Sequence, residues 1–148
     1  MLITYPALFY HEDEGFFVHF PDFKNSATQG ESVEEALKMA SEWLGMNCAD
    51  IIENGGKLPT ATQLNELSLV GNDPFKEDEE FDYDYDKERS FMSLVYVDIN
   101  DFLRTDEPVK KTLSIPSWAN ELGIKHGINF SQLLTGAIVN ETIDRGTS

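Results

Sequence analysis

Lys110-Lys111-Thr112-Leu113-Ser114-Ile115, closed by Pro116, alternates polar and apolar side chains with the period of a β-strand. Two short helical patterns follow, divided at Gly127, with Asn129 at the position of an N-cap and Gln132 three residues on. A single strand joined to two helices has no ladder partner and no sheet to bury its apolar side. The order strand, helix, helix therefore requires a second copy. Two such strands would pair antiparallel, and four helices would back the ribbon. A ribbon of that kind fits the major groove of DNA.

Alternation then sorts the side chains. Leu113 and Ile115 turn toward the helices, while Lys110, Thr112 and Ser114 turn toward the bases. The start of the last helix, at Asn129, Phe130 and Ser131, offers free amides and a positive dipole end to a phosphate. Trp118, Leu122, Phe130, Leu133, Leu134, Ala137 and Ile138 complete a dimer core with Leu113 and Ile115, because a module this small cannot fold alone. A plain dimer edge with no DNA function is the competing reading of the same strand.

The chain has 148 residues, of which 41% are apolar, enough for one modest domain and a small appended module. It lacks any run of eighteen apolar residues and opens without a signal-peptide pattern, so a cytoplasmic protein that meets no membrane is expected. The single cysteine, Cys48, falls in a helical pattern and leaves no disulfide or cysteine metal site within one chain. Charge divides sharply. Residues 1–108 carry 24 acidic and 7 basic side chains, net −17, whereas residues 109–148 carry 3 and 4, net +1. DNA would be repelled by the first part and tolerated by the second, and a basic partner would be drawn to the first.

Within the acidic part, Met1 to Tyr10 reads as a strand with Ile3, Tyr5, Ala7 and Phe9 on one face, and Pro6 suggests an edge position or a bulge. Phe16 to Phe20 is a second strand, and Ala27 to Gln29 a short third. Ser32-Val33-Glu34-Glu35 is a capping box. It opens a long helix whose Val33, Ala36, Leu37, Ala40, Leu44, Cys48 and Ile51 share a face, and which ends at Asn54-Gly55-Gly56. Residues 57–90 show little periodicity and read as a loop with an acidic tip. Phe91 to Asp98 is the last strand.

The tip, Asp73 to Glu88, holds nine carboxylates against two lysines. Phe81-Asp82-Tyr83-Asp84-Tyr85-Asp86 alternates ring and acid, so an extended backbone would put rings on one side and carboxylates on the other. Such a strip would imitate RNA to a protein that binds RNA. Glu79, Glu80, Asp82, Tyr83, Asp84, Tyr85 and Asp86 are accordingly the candidate partner-binding residues. A solvated charge run is the alternative. Asp82, Asp84 and Asp86 have the spacing that opens a calcium loop. However, Lys87 stands at the required glycine and Ser93 at the required glutamate, so no metal is expected.

Tyr5-Pro6-Ala7-Leu8-Phe9, Gly15-Phe16-Phe17-Val18, Phe20-Pro21-Asp22, Thr28-Gln29-Gly30 and Ser32-Val33-Glu34-Glu35-Ala36 together resemble the N-terminal domain of HicB antitoxins. Leu113-Ser114-Ile115-Pro116-Ser117-Trp118 with Gly127-Ile128-Asn129-Phe130-Ser131-Gln132-Leu133-Leu134 is similar to the ribbon-helix-helix tail that many of them carry. The resemblance implies an α+β fold. A partial ribonuclease-H-like domain, a small antiparallel sheet with one long helix, spans residues 1–99, with the acidic loop at about 71–90. A linker follows at 100–108 and a ribbon-helix-helix dimerisation and DNA-binding module at 109–148. It also implies an antitoxin that covers the active site of a small basic mRNA-cleaving HicA-type toxin. The tail would bind the operator of the pair's own operon as a homodimer or higher even oligomer. The resemblance assigns no role to the extended acidic loop.

The residues favour no enzyme and no cofactor. His11, His19 and His126 have no spaced cysteine or second histidine, and neither a phosphate loop nor a nucleophile elbow occurs. Two alternatives stay open: a freestanding ribbon-helix-helix regulator with a ligand-sensing N-terminal domain, and a metal-dependent nuclease.

Overall fold

The Ser32 hydroxyl accepts the Glu35 amide at 3.1 Å and starts helix α1, which runs Val33–Glu53 and stops at Asn54 before Gly55 in a left-handed turn. This is a computed structural model, and it describes residues 1–103 and 109–147, with only the backbone from 142 onward. α1 lies across an antiparallel sheet of β1 (Leu2–Glu12), β2 (Gly15–His19), β3 (Thr28–Gly30) and β4 (Asp86–Asp98), in the order β3-β2-β1-β4. Ile3, Tyr5, Ala7 and Phe9 of β1 meet Ala36, Ala40, Leu44 and Cys48 of α1, joined by Phe16, Val18, Val95 and Val97. Burial pushes the Cys48 thiol up to about 12, consistent with a core side chain rather than a reactive one. Val33 and Leu37, expected on the helix's inner face, are exposed, and Gly45 and Ala49 are buried instead.

The face of β1 away from α1 is buried as well. Pro6, Leu8 and Tyr10 are fully covered, although the alternation had suggested one apolar face. The cover is the chain between α1 and β4. Its first part is tied to the helix side, where the Tyr5 hydroxyl donates to the Pro59 carbonyl at 2.6 Å and Thr62 donates to Asp22 at 2.5 Å. The chain then passes to the outer face, where the Tyr10 hydroxyl donates to the Leu69 carbonyl at 2.6 Å. Pro6 stands in a strand with neighbours on both sides. Yet β2 pairs only from Leu8 onward, so at Pro6 one side of β1 is open and no ladder bond is forfeited there.

β4 begins at Asp86, five residues before the expected start, and residues 86–90 belong to it rather than to the loop. Asp86 pairs with His11 and Phe91 with Phe9, so the ladder is irregular between them. Ser90 bridges the gap, its hydroxyl accepting from the His11 amide at 2.8 Å and donating to the Asp86 carbonyl at 2.6 Å.

Past β4, Ile99–Asp101 forms one 3₁₀ turn with Ile99 buried. The ring of Phe102 packs onto Gly45, where an added Cβ would come within 2.5 Å of it. Residues 100–103 are thus part of the N-terminal unit rather than linker. The rest of the expected linker, 104–108, lies outside the described residues. Helices α2 (Ser117–Lys125) and α3 (Phe130–Thr147) follow, and no described helix is long and apolar enough to cross a membrane.

Candidate partner and nucleic-acid interfaces

The alternating segment from Phe81 to Asp86 has its two sides where the period of two places them, but two of its three rings, Tyr83 and Tyr85, face inward. Tyr83 and Tyr85 lie 5.3 and 4.8 Å from the ring of Tyr10, on the outer face of β1. Phe75 joins them, 5.0 Å from Tyr83 and 5.8 Å from Phe17 of β2, and Phe81 lies 5.1 Å from Phe75. The geometries are mostly edge-to-face or tilted, which suits the ring quadrupoles. The Tyr83 hydroxyl donates to the Glu12 carboxylate, tying the segment to the end of β1. Burial first, and that bond second, push the Tyr83 phenol far above its ordinary range, and burial does the same for Tyr10.

The expected RNA-like strip is therefore corrected in one respect. Tyr83 and Tyr85 are spent on the chain's own sheet and are not offered for stacking, whereas Phe81 stays 49% exposed. The strip's carboxylates remain outward, because a charge cannot enter the ring cluster without losing its water. Glu79, Glu80, Asp82, Asp84 and Asp86 are exposed, and Tyr83 and Tyr85 are half-buried. Asp86 also accepts the amides of Glu88 and Arg89 through one oxygen, at 2.9 and 3.3 Å, holding the entry to β4. No group of three or more His, Cys, Asp or Glu among the described residues is placed to hold a metal ion.

In the tail, Val109–Pro116 takes no regular structure within this chain, so the expected strand has no ladder here. Lys110, Thr112 and Ser114 are exposed, and so are Leu113 and Ile115, at 55% and 49%. α2 and α3 form as the pattern predicts. Gly127 takes φ +65° between them, and Asn129 caps α3, its side-chain oxygen accepting the Gln132 amide at 3.1 Å. The same oxygen accepts the Ser131 hydroxyl at 3.0 Å, so both polar side chains proposed for phosphate contact are engaged with each other in this chain. Phe130 seats its ring on Gly123, where an added Cβ would stand 2.3 Å from it. Trp118, Leu122, Leu133, Leu134 and Ile138 are exposed. Ser131 also lines an open cleft of about 580 Å³ with Met1, Asn100 and Val139.

One apolar patch escaped the sequence reading. Leu2, Leu94 and Tyr96, on the outer face, are 64%, 53% and 66% exposed. The signal was present: Met92, Leu94 and Tyr96 alternate with Phe91, Val95 and Val97, which makes both faces of β4 apolar.

Residues 4–70 match the family described as the HicB-like antitoxin of bacterial toxin–antitoxin systems. Among curated proteins, antitoxin HicB 2 of Photorhabdus laumondii is 36% identical over 64 residues, which cover 43% of this chain and 46% of that protein. The match thus spans less than half of that relative. A chain from a toxin–antitoxin complex of Streptococcus pneumoniae is 56% identical, with a TM-score of 0.70, covering 95% of this chain and 99% of that one. The antitoxin HicB of Burkholderia pseudomallei shares the fold at 21% identity, with a TM-score of 0.54 over 94% of this chain and 98% of its own.

Proposed function

As the chain belongs to the HicB-like antitoxin family, we propose that it neutralises a small, basic, mRNA-cleaving toxin of the HicA type by covering its active site. It acts by binding and not by chemistry of its own. The observation that carries this reading is the outward row of carboxylates held by the inward rings of Tyr83 and Tyr85, on a part of the chain with net charge −17. A pre-formed anionic surface needs little ordering when it meets a cationic one, and its field speeds the encounter. Likeness to a chain of a toxin–antitoxin complex, at 56% identity, points the same way.

The second half of the proposal concerns the tail. Residues 109–148 form a ribbon-helix-helix module that dimerises and binds operator DNA, repressing the chain's own operon. The N-terminal unit is a partial ribonuclease-H-like domain. Support comes from the near-neutral charge of the tail, the paired Lys110 and Lys111 at its start, and apolar side chains left exposed in one chain. An exposed apolar set of this size favours association with another copy.

Co-expression with the small basic reading frame beside this gene tests the proposal. Co-purification, together with rescue of cells that the neighbour alone arrests, is the expected result. A harmless neighbour that forms no complex would overturn it. For the tail, a gel shift with the operon's promoter should show binding that weakens in Lys110→Ala while light scattering still reports a dimer. Loss of the dimer in that variant would reverse the assigned strand faces.

A further inference from the structure

The outer face of the sheet has two unlike halves. Over Leu8, Tyr10 and Phe17 it is covered by the ring cluster and edged with carboxylates. Toward the other end of β1 it is bare. The register sets Thr4 opposite Tyr96 and Pro6 opposite Leu94, so Leu2, Leu94 and Tyr96 stand together on that face. Leu8, opposite Met92, is the next residue on this face before Tyr10, so the bare half continues directly into the acidic half. Large apolar side chains on an exposed sheet face, rimmed by charge, are the usual anatomy of a protein-binding site.

The charge of the rim decides what covers the patch. A second copy carries the same acidic insert and offers this rim no opposite charge to pair with. A basic protein meets attraction at the rim and an apolar seat beside it. We propose that Leu2, Leu94 and Tyr96 are the apolar anchor on which a basic protein partner docks, with the adjacent insert as its electrostatic rim. This rests on the toxin-binding reading above and adds residues that the reading does not name.

The two halves separate by kinetics. Apolar anchors act mainly on dissociation and are insensitive to salt, whereas rim charges act on association and are screened. Binding of the full-length chain to the purified neighbouring basic protein, in a catalytically inactive variant, should be followed at low salt and at roughly 0.5 M salt. The double variant Leu94→Gln/Tyr96→Gln should raise koff by at least ~30-fold at both salts. Asp82→Asn/Asp84→Asn should slow kon at low salt only. Met46→Gln, at an equally exposed site on α1 (63%), should change neither rate.

An unchanged koff in Leu94→Gln/Tyr96→Gln overturns the inference while leaving the toxin-binding reading intact. Failure of the wild-type chain to bind the neighbour overturns both together. Loss of self-association with partner binding preserved assigns the patch to a second copy and overturns it too. Should the double variant misfold, hydrogen exchange of the wild-type complex decides. Protection of amides 92–97 on binding is expected, and its absence overturns the inference.

Discussion

The insert at 73–88 and the tail from 109 onward both read as surface segments with alternating polar and apolar side chains, and they resolve in opposite ways. The insert finds its partner within the chain: Phe75, Tyr83 and Tyr85 close over Tyr10 and Phe17. The tail leaves Leu113, Ile115 and Trp118 exposed. Alternation alone does not say whether an apolar side will be buried within the chain or against another one. What separates the two is whether a matching apolar face lies within reach. The outer face of β1 supplies one to the insert, and among the described residues no strand pairs with Val109–Pro116.

The sharpest way to break this contrast is to remove residues 109–148. Dimerisation and operator binding should be lost entirely, measured by light scattering and gel shift, while toxin binding survives. If toxin binding is lost as well, the two segments do not work independently. Tyr10→Ala tests the insert's side. It deletes the ring beneath the cluster and orphans the Leu69 carbonyl, and should cost about 3–5 kcal/mol in denaturant unfolding. Deuterium uptake should rise first in residues 69–85. Gly123→Ala tests how firmly the tail's helices are paired, since the new methyl meets the Phe130 ring. A loss of about 1–3 kcal/mol is expected in thermal melts of the full chain.

The smallest effect is a pH response in the N-terminal unit. Burial holds His19 below its ordinary 6.5, against the opposing pull of the Ser26 carbonyl 3.0 Å from Nδ1. The unfolded chain therefore takes up this proton before the folded one. The contribution is nil above about pH 6.5, and stability falls as the pH drops from there toward the folded-state value. His19→Gln should flatten that limb in unfolding curves measured against pH. A slope unchanged by the substitution would assign the acid sensitivity to carboxylates instead.

Local signals were legible in the sequence because their partners sit a few residues away. Ser32 and Glu35 form the cap that their spacing announces, and Asn129 caps α3. The inner faces of β1 and β2 were legible for the same reason, one period of two carrying each. What was not legible depends on distant partners. The cover over Tyr10 comes from Leu69, Tyr83 and Tyr85, roughly sixty to seventy-five residues on, and no local period announces so distant a partner. Asp86 to Ser90 looks like loop by composition and becomes strand because the rings before it are anchored on Tyr10. Leu94 and Tyr96 look like core residues and are not, since the insert stops short of them.

The pairing of β1 with β4 joins Leu2 to Asp98, the two ends of the N-terminal unit. On a ribosome adding about 5–20 residues per second, β1 and β2 therefore exist for several seconds before the strand that completes their sheet has been made. Throughout that interval the apolar edge of β1 is open to any passing strand. The acidic surface forms only when the last stretch of this unit has been synthesised, so a half-made chain does not yet present it.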